Sequence, residues 1–144
     1  MARFLVVDDD PASVRGLTLL LHEDGHEVAG FTRGSDAVEA LTRGAFDVVL
    51  ADLEMPVVDG HAVVRTAREA HPDACLVAIT ARPDEKLIEL HEAGVCVVAD
   101  KPFDYDEVMR VVADCRGRGK PGEPARCQRR HRPHGLTVVS LRRK

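Results

Sequence analysis

Five short apolar runs, each followed by a segment whose apolar residues recur at helical spacing, leave this chain few folds to choose from. The first run, Phe4 to Val7, is uninterrupted, as in a strand buried on both faces, and it stops at Asp8-Asp9-Asp10-Pro11. Asp10 before Pro11 suits a helix N-cap, and Val14, Leu17, Leu20 and Leu21 then follow a helical period until Asp24-Gly25. The same alternation repeats with a strand over Glu27 to Phe31, then a helix capped by Ser35, carrying Ala37, Val38 and Leu41 inward and closed by Gly44. Asp47 to Ala51 is the third strand, Ala62 to His71 the third helix and Cys75 to Ile79 the fourth strand. Leu87, Ile88 and Leu90 mark a fourth helix ending at Gly94, and Val95 to Val98 is the fifth strand. Asp104 with Glu107 forms a capping box for a last helix, whose stripe is Val108, Val111 and Val112. Such alternation with short connections predicts an α/β domain, a five-stranded parallel sheet with helices on both faces, whose ligands gather beyond the carboxyl ends of the strands.

Charge locates the end of that domain. Residues 1–115 carry 10 Lys/Arg against 23 Asp/Glu, and residues 116–144 carry 10 against one. The change coincides with Gly117, Gly119, Pro121, Gly122 and Pro124, so the folded unit is expected over 1–116, followed by a disordered basic tail over 117–144. With 44% hydrophobic residues in 144, the domain can build a core without staples. No secretory leader is visible and no apolar run nears the roughly 20 residues that cross a bilayer, so a soluble, cytoplasmic protein without membrane contact is expected. Cys75, Cys96, Cys115 and Cys127 are far apart in sequence with no Cys-x-x-Cys pair, and read as small buried hydrophobes.

The chemistry-bearing residues fall at the predicted strand ends: Asp8, Asp9 and Asp10 after the first, Asp52 after the third, Thr80 after the fourth and Lys101 after the fifth. Carboxylates gathered at one sheet edge repel each other unless a cation sits among them, and magnesium, which takes oxygen ligands and keeps several waters, suits such a place. Lys101 adds a mobile positive charge and Thr80 a hydroxyl donor. Together they describe a site for phosphoryl transfer. Each piece alone has a plainer reading: the Asp8 to Asp10 triplet as helix caps, Asp52 as a turn acid, Thr80 as a loop hydroxyl and Lys101 as a solvated side chain. Their convergence on one edge favours the site. His22, His26, His61, His71 and His91 lack partners at ligand spacing and read as surface groups.

Four segments carry a resemblance to the receiver domains of bacterial response regulators: Val6-Val7-Asp8-Asp9-Asp10, Asp52-Leu53-Glu54-Met55-Pro56 with Asp59-Gly60, Thr80-Ala81, and Lys101-Pro102-Phe103. The resemblance covers about residues 2–115 and implies a flavodoxin-like, doubly wound fold of the stand-alone, chemotaxis-regulator kind. It implies that Asp52 accepts a phosphoryl group from a sensor histidine kinase or a phosphotransfer protein. Asp8 and Asp9, with Asp52 and the main-chain carbonyl of Glu54, hold Mg2+, and Thr80 and Lys101 grip the acyl phosphate. The Lys101-Pro102 bond is expected to be cis. The protein is then not an enzyme beyond its own phosphorylation and dephosphorylation, and it signals through a downstream protein.

This chain departs from the family where receivers place an aromatic residue three positions before the strand-five lysine, because Val98 stands there. The usual coupling of threonine to aromatic side chain cannot operate in that form, so the surface change is expected nearer the loop after strand four. Glu54 and Arg82, two residues beyond Asp52 and Thr80, are candidates to pair across the mouth of the site. The tail lacks the aromatic residues that stack on bases, so any contact of residues 117–144 with nucleic acid would be weak and sequence-blind. Cys127, His131 and His134 have a metal-like spacing without a fixed fourth ligand, and Leu136 to Leu141 is too short and isolated to form a domain, so no effector domain is expected. The competing readings are a receiver-like adaptor that never carries phosphate, an aspartate-nucleophile phosphatase of related topology, and a nucleic-acid-associated protein acting through the tail. Those phosphatases resemble one another in an Asp-x-Asp motif after the first strand plus a cap insertion, whereas this chain has Asp52-Leu53-Glu54 after the third strand and no room for a cap.

Overall fold

The structure is a computed structural model that describes residues 2–117 and 136–140. Its elements run β1 (Arg3–Val7), α1 (Pro11–Glu23), β2 (Glu27–Phe31), α2 (Gly34–Arg43), β3 (Val48–Asp52), α3 (Gly60–Ala70), β4 (Cys75–Thr80), α4 (Leu87–Glu92), β5 (Val97–Asp100), α5 (Tyr105–Arg116) and β6 (Thr137–Val139). A short 3-10 turn, Pro83–Glu85, precedes α4. The strands form one parallel sheet in the order β2-β1-β3-β4-β5-β6. Because successive strand residues point to opposite faces, each strand feeds two cores. Phe4, Val6, Leu50, Val77 and Val97 meet Leu17, Leu21, Val108 and Val112 of α1 and α5. Leu5, Val7, Val49, Leu76 and Val98 meet Leu41, Val63, Val64 and Leu90 of α2, α3 and α4.

Local chemistry sets the helix starts. The Asp10 side chain accepts from Ala12 N at 3.0 Å, Asp59 from Ala62 N at 3.2 Å and Asp104 from Glu107 N at 3.2 Å, each satisfying an orphan N–H of a first turn. The expected Ser35 cap is corrected: α2 starts at Gly34, with Arg33 in the cap position and no side-chain cap hydrogen bond. Gly34 presses on the Val58 carbonyl, where an added Cβ would lie 2.0 Å from oxygen, so packing against that loop decides where the helix begins. Two histidines also depart from the surface reading. The Ala2 N–H donates to His26 Nδ1 at 3.1 Å, and His71 Nε2 lies 2.8 Å from the Leu41 carbonyl, tying loops at the amino edge of the sheet.

Among the described residues the sheet has six strands rather than five. Residues 137–139, within the segment read as short and isolated, pair with β5 through Val97↔Thr137, Val98↔Val138 and Ala99↔Val139. An edge strand presents unpaired N–H and C=O groups, and three residues can add there when one side chain reaches the core. Val139 does so, at 1% exposure, and Thr137 N donates to the Cys96 carbonyl at 2.9 Å. The expectations of a disordered tail, of a Cys127, His131 and His134 cluster and of a nucleic-acid contact fall mainly on residues 118–135 and 141–144, outside the described residues.

Candidate functional site

Strand register brings the chemistry to one edge. Val7 pairs with Ala51, Asp52 with Ile79 and Thr80 with Asp100, so the residues at or just beyond these ends, Asp8, Asp52, Thr80 and Lys101, share the carboxyl end of the sheet. The adjoining turns are pinned by main-chain bonds, Asp8 N to Phe31 O at 3.1 Å, Leu53 N to Ile79 O at 2.9 Å and Lys101 N to Thr80 O at 3.0 Å. Gly60 lets the start of α3 close on the strand end, since a Cβ there would lie 2.2 Å from the Asp52 carbonyl oxygen. The Lys101-Pro102 peptide is cis.

Carboxylate oxygens of Asp8, Asp9 and Asp52 lie within 4.8 Å of one another. Asp52 is fully buried, Asp8 nearly so, and Asp9 is exposed at the mouth. Lys101 Nζ reaches Asp52 Oδ1 at 3.0 Å, and the same oxygen accepts from Glu54 N at 3.0 Å. Asp8 Oδ1 accepts from Asp10 N at 2.9 Å. Asp52 Oδ2, by contrast, is buried without a hydrogen-bond partner.

Burial dominates the electrostatics. It pushes the Asp52 carboxyl up to about 6, against the hydrogen bonds from Lys101 and Glu54 N and with the charge of Asp8 adding to the rise. Burial likewise raises Asp8, opposed by the Asp10 N–H and by Lys101. Burial also disfavours the charged form of Lys101, but the hydrogen bond and charge of Asp52, with Asp8 and Glu54 behind it, outweigh this and hold its ammonium above the usual lysine range. An orphaned buried oxygen and two carboxyls raised by desolvation are what a cation would relieve, and the donor set is all oxygen. The residues therefore fit magnesium, which Asp8, Asp9 and Asp52 would hold.

Thr80 is buried, and its hydroxyl donates to Glu54 Oε1 at 2.5 Å. That carboxylate oxygen also accepts from Ala81 N at 3.3 Å, while Arg82 N donates to Thr80 Oγ1 at 3.0 Å. The expected pairing of Glu54 with Arg82 is thus not formed. Arg82 Nη1 lies 3.9 Å from Glu85 Oε2 instead, because a buried hydroxyl and a main-chain N–H offer the carboxylate fixed donors that an exposed guanidinium does not. Sequence reasoning also missed Asp100, buried beside Lys101, whose Oδ2 accepts from Ser140 Oγ at 2.8 Å. An acid in the apolar run before Lys101 was the available signal.

Comparison with known proteins adds four likenesses. A family model described as the response regulator receiver domain matches residues 4–113. The transcriptional regulatory protein PrrA of Mycobacterium tuberculosis is 38% identical over 120 residues, 81% of this chain and 51% of PrrA. The DNA-binding transcriptional regulator NtrC of Klebsiella pneumoniae is 32% identical over 108 residues, 74% of this chain and 23% of NtrC. This chain thus spans between about a quarter and a half of the length of these curated relatives. Among solved structures, the response regulator TrrA of Thermotoga maritima in complex with Mg2+-BeF is similar, with a TM-score of 0.67 and 31% identity, covering 76% of this chain and 95% of that one.

Proposed function

The chain belongs to the response regulator receiver family of two-component systems, and from that premise we propose that it takes a phosphoryl group onto Asp52 and signals through altered protein contacts. The observation that carries this reading is the asymmetry of the Asp52 carboxylate, with Oδ1 held by Lys101 and Glu54 N and Oδ2 buried with no hydrogen-bond partner. In the proposed step an Asp52 oxygen attacks phosphorus, a P–O bond forms, and the P–N bond to the donor histidine breaks. Magnesium, when bound, neutralises charge on the carboxylates and on the phosphoryl oxygens. Lys101 transfers its contact from the carboxylate to a phosphoryl oxygen, and Thr80 donates to another once Glu54 has left its hydroxyl. The chain performs no other catalysis.

The donor is a sensor histidine kinase or a phosphotransfer protein in the cytoplasm. Among the described residues no helix is long and apolar enough to cross a membrane. The output is a downstream protein, and the surface change lies nearer the loop after β4 than on β5. Two observations support that placement: Val98, where the family has an aromatic residue, is fully buried, and the free edge of β5 is already paired with β6. Intact-protein mass spectrometry after treatment with acetyl phosphate and magnesium should show one phosphoryl group on the wild type and none on Asp52→Asn. No uptake by the wild type would favour the adaptor that carries no phosphate, and uptake by Asp52→Asn would remove Asp52 from its role.

A further inference from the structure

A second cluster lies at the opposite end of the sheet. Cys75 opens β4, Cys96 immediately precedes β5, and Cys115 sits in the last turn of α5. Helix α5 begins near the carboxyl edge and returns towards the amino edge, so its last turn meets the starts of β4 and β5. The three Sγ atoms lie within 4.8 Å of one another, buried at 0%, 1% and 7% exposure, and none of the three is in a disulfide. A cysteine used only as a small hydrophobe can occupy any core position, whereas these three, drawn from separate elements, converge on one point.

A cation stands beside them. Arg68, from α3, reaches under the sheet and brings Nη2 to 3.8 Å from Cys96 Sγ. Nη1 donates to the main-chain carbonyls of Pro72 at 2.6 Å and Ala74 at 3.1 Å, and Nη2 also to that of Gly94 at 2.5 Å, while Nε is buried without a hydrogen-bond partner. The turn is shaped around this guanidinium: Gly94 has φ +89°, and a Cβ there would lie 2.7 Å from Arg68 Nε.

We propose that Cys75, Cys96 and Cys115 form a buried trithiolate site for a divalent thiophilic cation of the zinc group, with Arg68 supplying the balancing charge. Three thiolates about 2.3 Å from a central ion in a plane stand about 4.0 Å apart, so the thiols need close by less than an ångström. Charge selects the valence, because net charge in an apolar interior is costly. Three thiolates, one divalent cation and one guanidinium sum to zero, whereas a monovalent ion leaves a negative charge and a trivalent ion a positive one. Among the described residues the group holds thiols alone, with no imidazole or carboxylate, and thiolate favours soft ions over magnesium. On binding, three S–H bonds break, three metal–sulfur bonds form and three protons go to solvent, with no change of oxidation state. The site is separate from the acidic edge and does not depend on phosphorylation of Asp52.

The test uses the full chain, reduced, carrying Cys127→Ser to remove the fourth thiol, and titrated with cadmium in excess magnesium so that the acidic edge is occupied. The expected result is a near-ultraviolet thiolate-to-cadmium absorption that saturates at one ion per chain, with about three protons released per ion. Cadmium, the softer ion, should displace zinc bound beforehand. Cys115→Ser, at the most exposed of the three positions, should weaken binding about tenfold or more while leaving far-ultraviolet circular dichroism unchanged. Absence of the absorption band in a folded protein would overturn the proposal. So would a band that Cys115→Ser leaves untouched, or one present with Cys127 and lost in Cys127→Ser, which would put the ion on the tail.

Discussion

Glu54→Ala should make this protein a faster phosphoryl acceptor. In the resting structure the Glu54 carboxylate takes the Thr80 hydroxyl at 2.5 Å and the Ala81 N–H at 3.3 Å, the two donors at the end of β4 closest to the Asp52 pocket. A phosphoryl oxygen that is to use them must first displace it. A hydrogen bond to a charged group is worth about 1.5–3 kcal/mol. Glu54 is solvent-exposed, which lowers this, and the longer of its two bonds adds little, so about 1–1.5 kcal/mol is a fair net value for the displacement. Removing that cost, together with the repulsion between the carboxylate and an incoming phosphoryl group, accelerates uptake about tenfold. Glu54→Gln keeps an acceptor but loses the charge, and should fall between. The assay is the rate of Asp52 phosphorylation by acetyl phosphate, followed by intact mass at fixed magnesium and ionic strength, so that kinase recognition plays no part. A Thr80→Val background closes the cycle: if Glu54 acts through the hydroxyl, the gain from Glu54→Ala shrinks there. A rate for folded Glu54→Ala equal to or below wild type would refute the reasoning.

Asp52 carries a stability prediction of its own. Its carboxyl sits at about 6 in the fold against 3.8 ordinarily, so the folded state binds the proton more tightly than the unfolded chain. The sign follows: without divalent cations, stability falls as pH rises from about 4 to about 6 and stays low above, by about 3 kcal/mol at 1.36 kcal/mol per unit. Asp52→Asn removes that cost, and urea denaturation at neutral pH in a chelator should find it about 2–3 kcal/mol more stable than wild type; equal stabilities would show that the burial cost is already relieved. For β6, Val139→Asp puts a carboxylate where the exposure is 1% and should detach the strand. Amide exchange in β5 should then rise while β1 and β3 stay protected, and unchanged protection in β5 would mean that the strand contributes nothing there.

The sheet and the acidic edge were readable because they rest on periodicity. Val6-Val7 and Val49-Leu50-Ala51 are buried on both faces, so no alternative register hides them, and the acids that follow must emerge at the same edge. Lys101 was readable for the same reason, as the first cation after a buried strand. What escaped depends on contacts that spacing does not encode. Opposite charge suggested Arg82 for Glu54, but in the fold two main-chain-positioned donors lie nearer than the guanidinium. Ser35 has the better capping side chain, yet the close approach of Gly34 to Val58 sets the helix start. Residues 137–139 carry a weak local strand signal and become a strand only through an edge 40 positions away. Cys75, Cys96 and Cys115 look scattered in sequence, and only the return of α5 brings the third to the other two.

These contacts bear on how a receiver lacking the usual aromatic switch can respond at all. Lys101 is held by Asp52, Thr80 by Glu54, and the Thr80 oxygen in turn holds Arg82 N. Each group that would recognise a phosphate is therefore already bonded within the protein, so the proposed phosphorylation would exchange one set of hydrogen bonds for another, and its conformational effect would lie in what is released. Val98 is fully buried between β4 and β6, and a side chain of that size offers no second rotamer that reaches the surface. The groups set free are the Glu54 carboxylate and the Ala81-Arg82 main chain, both at the surface after β3 and β4. A response driven by their release would be local to those two loops, where the bonds that change are, and would leave β5 clamped between its neighbours.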